Sequence, residues 1–403
     1  MGPSFTSRTA RALAAAVTTG ALVALAGCGG GGEAGGGGGT ITIGYSGPLS
    51  GGAAAYGTNI QDGMQMAVDA LNEQGVTVEG GEYTVELAAL DDMYQPNTAA
   101  TNAQRLAEQD DAAVIFVPHS GGIQAAQELN SGRSSFLLGA YSSDPAILAT
   151  GNPLSMMIPP SFKSYGQPFI EQVKTDGVEK LGLLGTASEY GHSWTGLVTE
   201  EWEAQGGEVL TDNSIDYSTV TDFAGPVSQT LSEDPDVIFL GGPSQPTALI
   251  IEEARNQGYE GSFLIMDQAK FEEMELFTDP ENLNDSVGVM PVKEYEDPGT
   301  ADLVAAYEEL VDGERPATVE VSLHYQSVAL VVKAMEVAGT VEDPEAIRGA
   351  LGDAMGEVDD RFRVSGFPTT ITDAGHLQNE DLQIAYRNDD GDYEFIAIEN
   401  AED

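Results

Sequence analysis

The residues most able to do chemistry follow short apolar runs. His119, Ser120 and Gly121 come after the run 112–117, and Ser142 and Ser143 come after 135–141. Hydroxyls, phenols and the free N–H groups at the start of a helix can hold a small polar molecule, an anion included, without a cation. The junctions 46–51, 91–92, 118–122, 141–145, 189–192, 241–244 and 267–268 contain no Lys or Arg. The candidate ligand-binding residues are Tyr56, His119, Ser120, Gly121, Tyr141, Ser142, Ser143, Tyr190, Asp267 and Gln268.

Other chemistries lack the residues they require. The four histidines are scattered and the single cysteine is Cys28, so neither metal-ligand spacing nor a cofactor site is predicted. The glycine-rich junctions lack the GK[ST] ending of a phosphate loop, and there is no G-x-S-x-G nucleophile elbow. The pair Asp91-Asp92 is open to two interpretations, a metal or acid–base pair and a structural cap of loop amides, of which the cap is favoured.

The charge balance excludes one large class of partner. Sixteen Lys and Arg stand against 65 Asp and Glu, for a net charge of -49. Nucleic-acid binding needs a basic surface, and this chain has none. The acidity is spread along the chain, which indicates either a salt-adapted organism or an ordinary acidic secreted protein.

The first 28 residues predict export and anchoring. Arg8 and Arg11 precede the apolar stretch 12–26, which is too short to span a bilayer comfortably and is typical of a signal peptide. The quartet Leu25-Ala26-Gly27-Cys28 resembles a bacterial lipobox, which implies cleavage after residue 27 and lipid attachment to Cys28. The alternative is a plain secretory signal with a chance cysteine. Residues 28–39 are glycine-rich and predict a flexible tether to the membrane.

From residue 40 onward, short apolar runs alternate with amphipathic stretches. Runs such as 40–46, 112–117 and 236–242 predict strands, and 56–74 predicts a helix that ends before Gly75. Strands that alternate with helices imply parallel sheets covered on both faces, so the fold class is α/β with two doubly wound lobes. The last third predicts helices over 300–310, 321–337 and 344–355, then extended segments over 362–372, 382–387 and 393–398.

A set of segments resembles a known family. The runs IGYSGPLSG, LDDMYQPNTAATNAQRLAEQD, AAVIFVPHSGG, SEYGHSW and DVIFLGGPSQPTALIIEEARNQGY occur in the family's order. They resemble the extracytoplasmic substrate-binding proteins of ABC transporters, of the branched-chain amino-acid (Leu/Ile/Val) type. That resemblance implies a type I, Venus-flytrap fold in which three hinge crossings join two lobes. We expect the crossings near 158–161, 286–289 and 366–372, lobe I over 40–159 and 288–367, and lobe II over 160–287 and 368–403.

The resemblance also implies roles for single residues. Ser120, with the Gly121 amide, would bind the ligand carboxylate, and Ser143, beside Tyr141 and Ser142, its amino group. Tyr56 and Tyr190 would wall the pocket from the two lobes, and His119 would lie at its mouth. Each role has a structural alternative: Ser120 and Ser143 as helix caps, the tyrosines as interlobe packing, and His119 as a solvated loop residue.

Two departures from the family leave the ligand class open. The family's ammonium-binding Tyr and Glu fall at Pro243 and Gln268, which are neutral. Asp267 is adjacent, but neighbouring side chains on a strand point to opposite faces. An amino acid, an organic acid and an amide all remain candidates.

The resulting hypothesis is a non-enzymatic, lipid-anchored receptor outside the cytoplasm. It would act as a monomer, capture a small polar solute between its lobes and deliver it to an ABC permease in the membrane. A surface sensor of the same fold is the alternative, and a secreted hydrolase is a weaker one because no positioned nucleophile is visible.

Overall fold

The computed structural model describes residues 38–130, 135–175 and 177–401. Cys28, the signal segment and most of the glycine-rich tether therefore lie outside the described residues, and their roles stay predictions. Among the residues described, no helix is long and apolar enough to cross a membrane.

The first sheet is built from the N-terminal strands. In the described part of the chain its six strands lie in the order β2-β3-β1-β4-β5-β6, parallel except for β2. They are β1 (Gly39–Gly47), β2 (Val76–Val78), β3 (Gly81–Asp91), β4 (Val114–Val117), β5 (Leu137–Ala140) and β6 (Ser155–Met157). The helices between them are α1 (Ala54–Gln74), α2 (Pro96–Gln109), α3 (Ser120–Gln127) and α4 (Ala146–Ala149). Every residue of β4 and β5 is buried, as expected for central strands covered on both faces.

The second sheet repeats this pattern. Its parallel strands are β7 (Lys180–Gly185), β8 (Glu208–Asp212), β9 (Val237–Gly241), β10 (Ser262–Ile265) and β11 (Ser286–Val289). Its helices are α5 (Lys163–Val173), α6 (Glu189–Ala204), α7 (Ala224–Leu231), α8 (Ser244–Asn256) and α9 (Phe271–Met274). Two antiparallel strands from the C-terminal end of the chain, β14 (Gln383–Arg387) and β15 (Tyr393–Ala397), extend its edge beside β11. The order over the described residues is therefore β15-β14-β11-β10-β9-β7-β8.

The C-terminal third returns to the first sheet before it completes the second. Helices α10 (Thr300–Leu310), α11 (Val319–Ala338) and α12 (Pro344–Met355) contribute to the same apolar core as β1 and α1. A two-stranded pair follows, β12 (Thr370–Ile371) with β13 (Leu377–Gln378), and then β14 (Gln383–Arg387) and β15 (Tyr393–Ala397).

We call the first sheet with α1–α4 and α10–α12 lobe I, and the second sheet with α5–α9 lobe II. Across the described ranges the chain passes between the lobes after β6, after β11 and after β13. This is the predicted two-lobe architecture with three crossings. The exact residue limits of the lobes stay a prediction.

Some predicted elements begin or end elsewhere for local reasons. Helix α6 begins at Glu189 because the Ser188 hydroxyl accepts the Gly191 N–H at 3.1 Å and caps it. The extended segment predicted over 362–372 is mostly irregular and keeps only Thr370–Ile371 as strand. Gly366, at φ 71°, and Pro368 interrupt it, since neither suits a central strand.

Candidate ligand-binding site

The lobes face each other where the parallel strands of both sheets end. They enclose a cavity of about 320 Å³, here called the central cavity. Its lining residues are Tyr56, Tyr94, Pro118, His119, Ser120, Tyr141, Ser142, Ser143, Pro159, Tyr190, Asp267, Gln268 and Lys270. Nine of the ten predicted residues are therefore brought together, and the lining adds Tyr94, Pro118, Pro159 and Lys270.

Two further cavities continue the cleft. An outer cavity of about 700 Å³ shares Tyr94, His119, Ser120 and Tyr190 with the central cavity. Gly121, the tenth predicted residue, lines this outer space, as does Pro243. On the opposite side a hinge-side cavity of about 650 Å³ shares Tyr141, Pro159, Asp267 and Lys270 with the central cavity. The cleft therefore runs from an outer mouth to the chain crossings.

Ser120 is the first residue of α3 and is fully buried. Its hydroxyl lies 2.7 Å from that of Ser142 at the next strand end. The cap of α3 is His119, whose Nδ1 accepts the Gly122 N–H at 3.0 Å, so the reading of Ser120 as the cap is wrong. The N–H groups of Ser120 and Gly121 have no carbonyl within their own helix to bond. Two hydroxyls and a helix N-terminus thus form one hydrogen-bonding edge of the cleft.

His119 is 4 % exposed, which contradicts the reading of a solvated loop histidine. Because Nδ1 is an acceptor, Nε2 carries the proton and donates to Asp92 Oδ2 at 3.1 Å. The ring of Tyr94 stacks on the imidazole with centroids 4.7 Å apart. His119 therefore positions α3. Because both of its nitrogens are hydrogen-bonded within the protein, it can contact a ligand only through the surface of its ring.

The pair Asp91-Asp92 has the structural role that the sequence analysis favoured, that of accepting hydrogen bonds from loop amides. Asp92 accepts the Ser46 hydroxyl and the Tyr94 N–H, and Asp91 accepts the N–H groups of Leu49 and Met93. Partial burial would raise the pKa of Asp91, but hydrogen bonds from Ser50 and backbone N–H groups outweigh it and lower that pKa. Both carboxylates are used in holding the loops at the edge of the first sheet.

Two tyrosines form the wall of lobe I. The Tyr56 hydroxyl donates to the Pro118 carbonyl at 2.9 Å, and its ring lies 6.3 Å from that of Tyr141. Tyr141 meets the edge of His324 with centroids 4.4 Å apart. Burial raises the pKa of both tyrosines, so they stay neutral, and burial lowers the pKa of His324 to about 3. The wall is aromatic and uncharged.

Asp267 is the centre of the lobe II side. Its Oδ1 accepts hydrogen bonds from the Tyr190 hydroxyl at 2.5 Å, Trp194 Nε1 at 2.8 Å and the Ser143 hydroxyl at 3.0 Å. The last bond crosses the cleft, so Ser143 is not a helix cap. The expectation that Asp267 and Gln268 point to opposite faces is wrong, because β10 ends at Ile265 and the alternation of a strand no longer applies. A carboxylate therefore faces the central cavity.

Gln268 reaches across the cleft to a residue the sequence reasoning missed. Its Nε2 donates to the Tyr94 hydroxyl at 3.3 Å, while its Oε1 has no partner. Met93 and Tyr94 both have positive φ, 55° and 61°, which is uncommon for such side chains and recurs at functional sites. An aromatic two residues after the strand-end pair Asp91-Asp92 was the available signal.

Lys270 is the second residue that was missed. It is 2 % exposed, its Nζ donates to the carbonyls of Asp267 and Gln268, and it lies 3.6 Å from Glu320 Oε2 of lobe I. The cleft therefore contains a lysine, although the strand-to-helix junctions contain neither Lys nor Arg. Lys270 lies five residues beyond the end of β10 and fell outside the junctions considered. It neutralises part of a buried acidic cluster in which Glu272 and Glu273 also take part.

Asp144 lies beside the hydroxyl edge formed by Ser120 and Ser142. Burial raises its pKa, opposed by the Ala146 N–H, which donates to its Oδ1 at 3.0 Å, and its Oδ2 has no hydrogen-bond partner among the described residues. No cluster of three or more His, Cys, Asp or Glu side chains in the described ranges could hold a metal ion.

The comparisons with known proteins agree on one family. The family of periplasmic binding proteins matches residues 40–392. The leucine-, isoleucine-, valine-, threonine- and alanine-binding protein of Pseudomonas aeruginosa is 22% identical over 352 residues, which are 85% of this chain and 87% of that protein. The Leu/Ile/Val-binding protein BraC3 of Rhizobium johnstonii is 22% identical and covers 78% of this chain and 83% of its own length.

Solved structures share the fold. The leucine-binding protein LivK of Thermotoga maritima matches 89% of this chain and 99% of its own with a TM-score of 0.72 at 21% identity. The substrate-binding protein LivJ of Streptococcus pneumoniae, solved with isoleucine, matches 90% of this chain and 100% of its own with a TM-score of 0.71 at 22% identity. The chain belongs to the periplasmic binding protein family, and it is a solute-binding receptor of the type I, Venus-flytrap fold.

Proposed function

We propose that this protein captures an amino acid in the central cavity and delivers it to an ABC permease. The observation that carries the proposal is the Asp267 carboxylate, which faces Ser143 across the cleft. An α-ammonium needs a buried carboxylate partner, and Asp267 supplies one in place of the neutral Pro243 and Gln268. The ligand carboxylate would be bound by Ser120, Ser142 and the first N–H groups of α3.

Closure of the lobes is the proposed means of capture. Polar contacts already join them in this structure: Ser143 with Asp267, Tyr94 with Gln268, and Asn59 with Glu273 at 3.2 Å. A ligand drives closure only if it binds the closed form more tightly than the open one. Bridging Ser120 of lobe I to Asp267 of lobe II gives the ligand that differential affinity.

The cellular setting is part of the same proposal. The relatives from Pseudomonas and Rhizobium are named as amino-acid-binding proteins, which supports an amino-acid ligand outside the cytoplasm. The lipobox-like quartet at Cys28 supports a lipid anchor, and the glycine-rich tether would let a monomer reach the permease. The protein would bind and release its ligand without chemical change.

Calorimetric titration of the purified receptor with a panel of amino acids, organic acids and amides tests the proposal. We expect at least one amino acid to bind, and Asp267→Asn to weaken its binding at least about 30-fold, because a buried charge loses its partner. The matched control is Asp234→Asn, whose fully exposed carboxylate lies 3.8 Å from the Lys180 ammonium. Binding of acids or amides alone, unchanged affinity in Asp267→Asn, or turnover of a bound compound would refute it.

A further inference from the structure

The hinge-side cavity carries polar groups that the amino-acid site does not use. It is lined by residues from all three chain crossings, Pro159, Tyr295 and Asn379, and it opens to the central cavity beside Lys270. A ligand whose ammonium and carboxylate lie at Asp267 and Ser120 would direct its side chain toward this space or toward the mouth. The residues that line this cavity therefore affect which amino-acid side chains the receptor can bind.

Gln326 is the first of these groups. Val319, Leu323 and Gln326 lie on one face of α11, at helical spacing, and all three line the hinge-side cavity. Gln326 is only 2 % exposed, and its Oε1 has no hydrogen-bond partner. A buried polar atom without a partner costs about 1–3 kcal/mol, so a native structure that keeps one in a cavity wall calls for a reason.

Ser365 is the second group. It is 4 % exposed, lines the same cavity, and its hydroxyl also has no partner. Its backbone is held in place, since the Ser365 N–H donates to Thr300 Oγ1 at 3.2 Å and the next N–H donates to Asp297 at 2.7 Å. The hydroxyl is thus fixed in the cavity wall while its hydrogen-bonding capacity is unused.

The charges around Gln326 and Ser365 limit which ligand side chains the hinge-side cavity can bind. Lys270 lines the cavity, with its ammonium bonded to two backbone carbonyls and close to Glu320, and two acidic residues, Asp267 and Asp381, line it as well. An added cation would meet Lys270, and an added anion would meet Asp267. A neutral ligand group that both donates and accepts hydrogen bonds can pair with the amide oxygen of Gln326 and with the hydroxyl of Ser365.

We infer that the receptor selects amino acids whose side chain ends in a neutral hydrogen-bonding group, a carboxamide in particular, held by Gln326 and Ser365. The inference rests on the proposed amino-acid function and extends it to the side-chain end of the ligand. An apolar side chain would displace water from both groups without replacing its hydrogen bonds, and sites built to bond a polar group reject analogues that lack it.

Competitive calorimetry with L-glutamine, L-leucine, L-glutamate and L-lysine tests the inference. One lost hydrogen bond to a buried group corresponds to about a tenfold change in affinity, so we expect L-glutamine to bind at least about tenfold more tightly than each of the others. Equal or tighter binding of L-leucine overturns the inference and indicates that water alone fills the cavity. Tighter binding of L-glutamate or L-lysine also overturns it.

Two variants test whether Gln326 and Ser365 cause the preference for L-glutamine over L-leucine. Gln326→Leu and Ser365→Ala should each reduce the preference for L-glutamine over L-leucine, with L-leucine bound as tightly as before, which also shows that the variants fold. The control is Ser327→Ala: Ser327 is the next residue of α11, is buried and also lacks a partner for its hydroxyl, but it does not line the cavity. An unchanged preference in both site variants contradicts the assignment.

The outcomes separate the two proposals. If L-leucine binds in a manner that depends on Asp267 but L-glutamine has no advantage, only the inference fails. If another amino acid of the panel binds but L-glutamine does not, the inference alone fails, and if no amino acid binds, the proposed function and the inference fail together.

Discussion

At the scale of single residues, the cleft binds through groups whose positions are fixed by second partners. Ser120 is paired with Ser142, and the helix that carries it is capped by His119, which Asp92 holds in one tautomer. The ligand therefore meets groups that are already oriented, which lowers the entropy lost on binding.

A prediction at this scale concerns the Ser120 hydroxyl. Ser120→Ala removes one hydrogen bond to the ligand carboxylate, so we expect affinity to fall about tenfold and the free energy of unfolding to fall by about 1 kcal/mol. Calorimetric titration and urea unfolding measure the two quantities. Ser155→Ala is the control, because the buried Ser155 hydroxyl bonds Gln127 at 2.8 Å away from every cavity lining named above and should lower stability without affecting affinity. A Ser120→Ala protein with unchanged affinity removes Ser120 from the site.

At the scale of elements, α11 connects the core of lobe I to the cleft. It packs so closely on α1 that a Cβ added at Gly63 would lie 2.2 Å from the Val321 carbonyl oxygen. The same helix carries Glu320, opposite Lys270, and Gln326 in the hinge-side cavity. The position of α11 against α1 therefore sets the position of both polar side chains.

Gly63→Ala tests this close approach. Alanine is the better helix former, but the overlap with α11 should dominate and destabilise the protein by about 1–3 kcal/mol. Gly349→Ala is the matched control, since Gly349 is exposed on α12 and its added Cβ would meet no atom within 4 Å; we expect it to stabilise by about 0.5–1 kcal/mol. Thermal and urea unfolding distinguish the two. Equal stabilisation by both substitutions would contradict the packing argument.

The elements were predictable from the sequence, and part of the site was not. Buried parallel strands such as β4 and β9 are continuous apolar runs, so their ends, and hence the hydroxyl edge, follow from the pattern. The direction of Asp267 depends on where β10 ends, and the partner of Lys270 lies 50 residues away in another lobe. The role of Gln326 could not be predicted, because α11 is buried on nearly every side and Gln326 does not follow the end of a strand.

At the scale of the whole molecule, closure brings acidic groups together. On the hinge side Lys270, Glu272 and Glu273 of lobe II face Glu320 and Asn59 of lobe I, so three carboxyl groups share one ammonium. Burial raises the pKa of Glu272 to about 8, and burial also raises the pKa of Glu273. The folded protein therefore holds protons at pH values where free glutamates would have lost them.

The last prediction follows from the sign of this proton uptake. Glutamates in the unfolded chain titrate near pH 4.3, so between about pH 5 and pH 8 the folded protein binds more protons than the unfolded one. Its stability should therefore fall as the pH rises through this window. Glu201, whose pKa is raised to about 7 by burial and by Glu200, contributes in the same direction. Melting temperatures at pH 5, 6, 7 and 8, in constant high salt, measure the slope.

Glu272→Gln should make that slope shallower without abolishing it. The amide cannot titrate, so the variant should gain stability relative to the parent as the pH rises toward 8, while Glu201 and Glu273 still contribute. Glu308→Gln, on the exposed face of α10, removes the same charge from the surface and should leave the slope unchanged, which separates burial from net charge. Parallel pH profiles for the parent and Glu272→Gln would mean that Glu272 remains ionised when the lobes close, and that Lys270 compensates more of the buried acid than its 3.6 Å separation from Glu320 indicates.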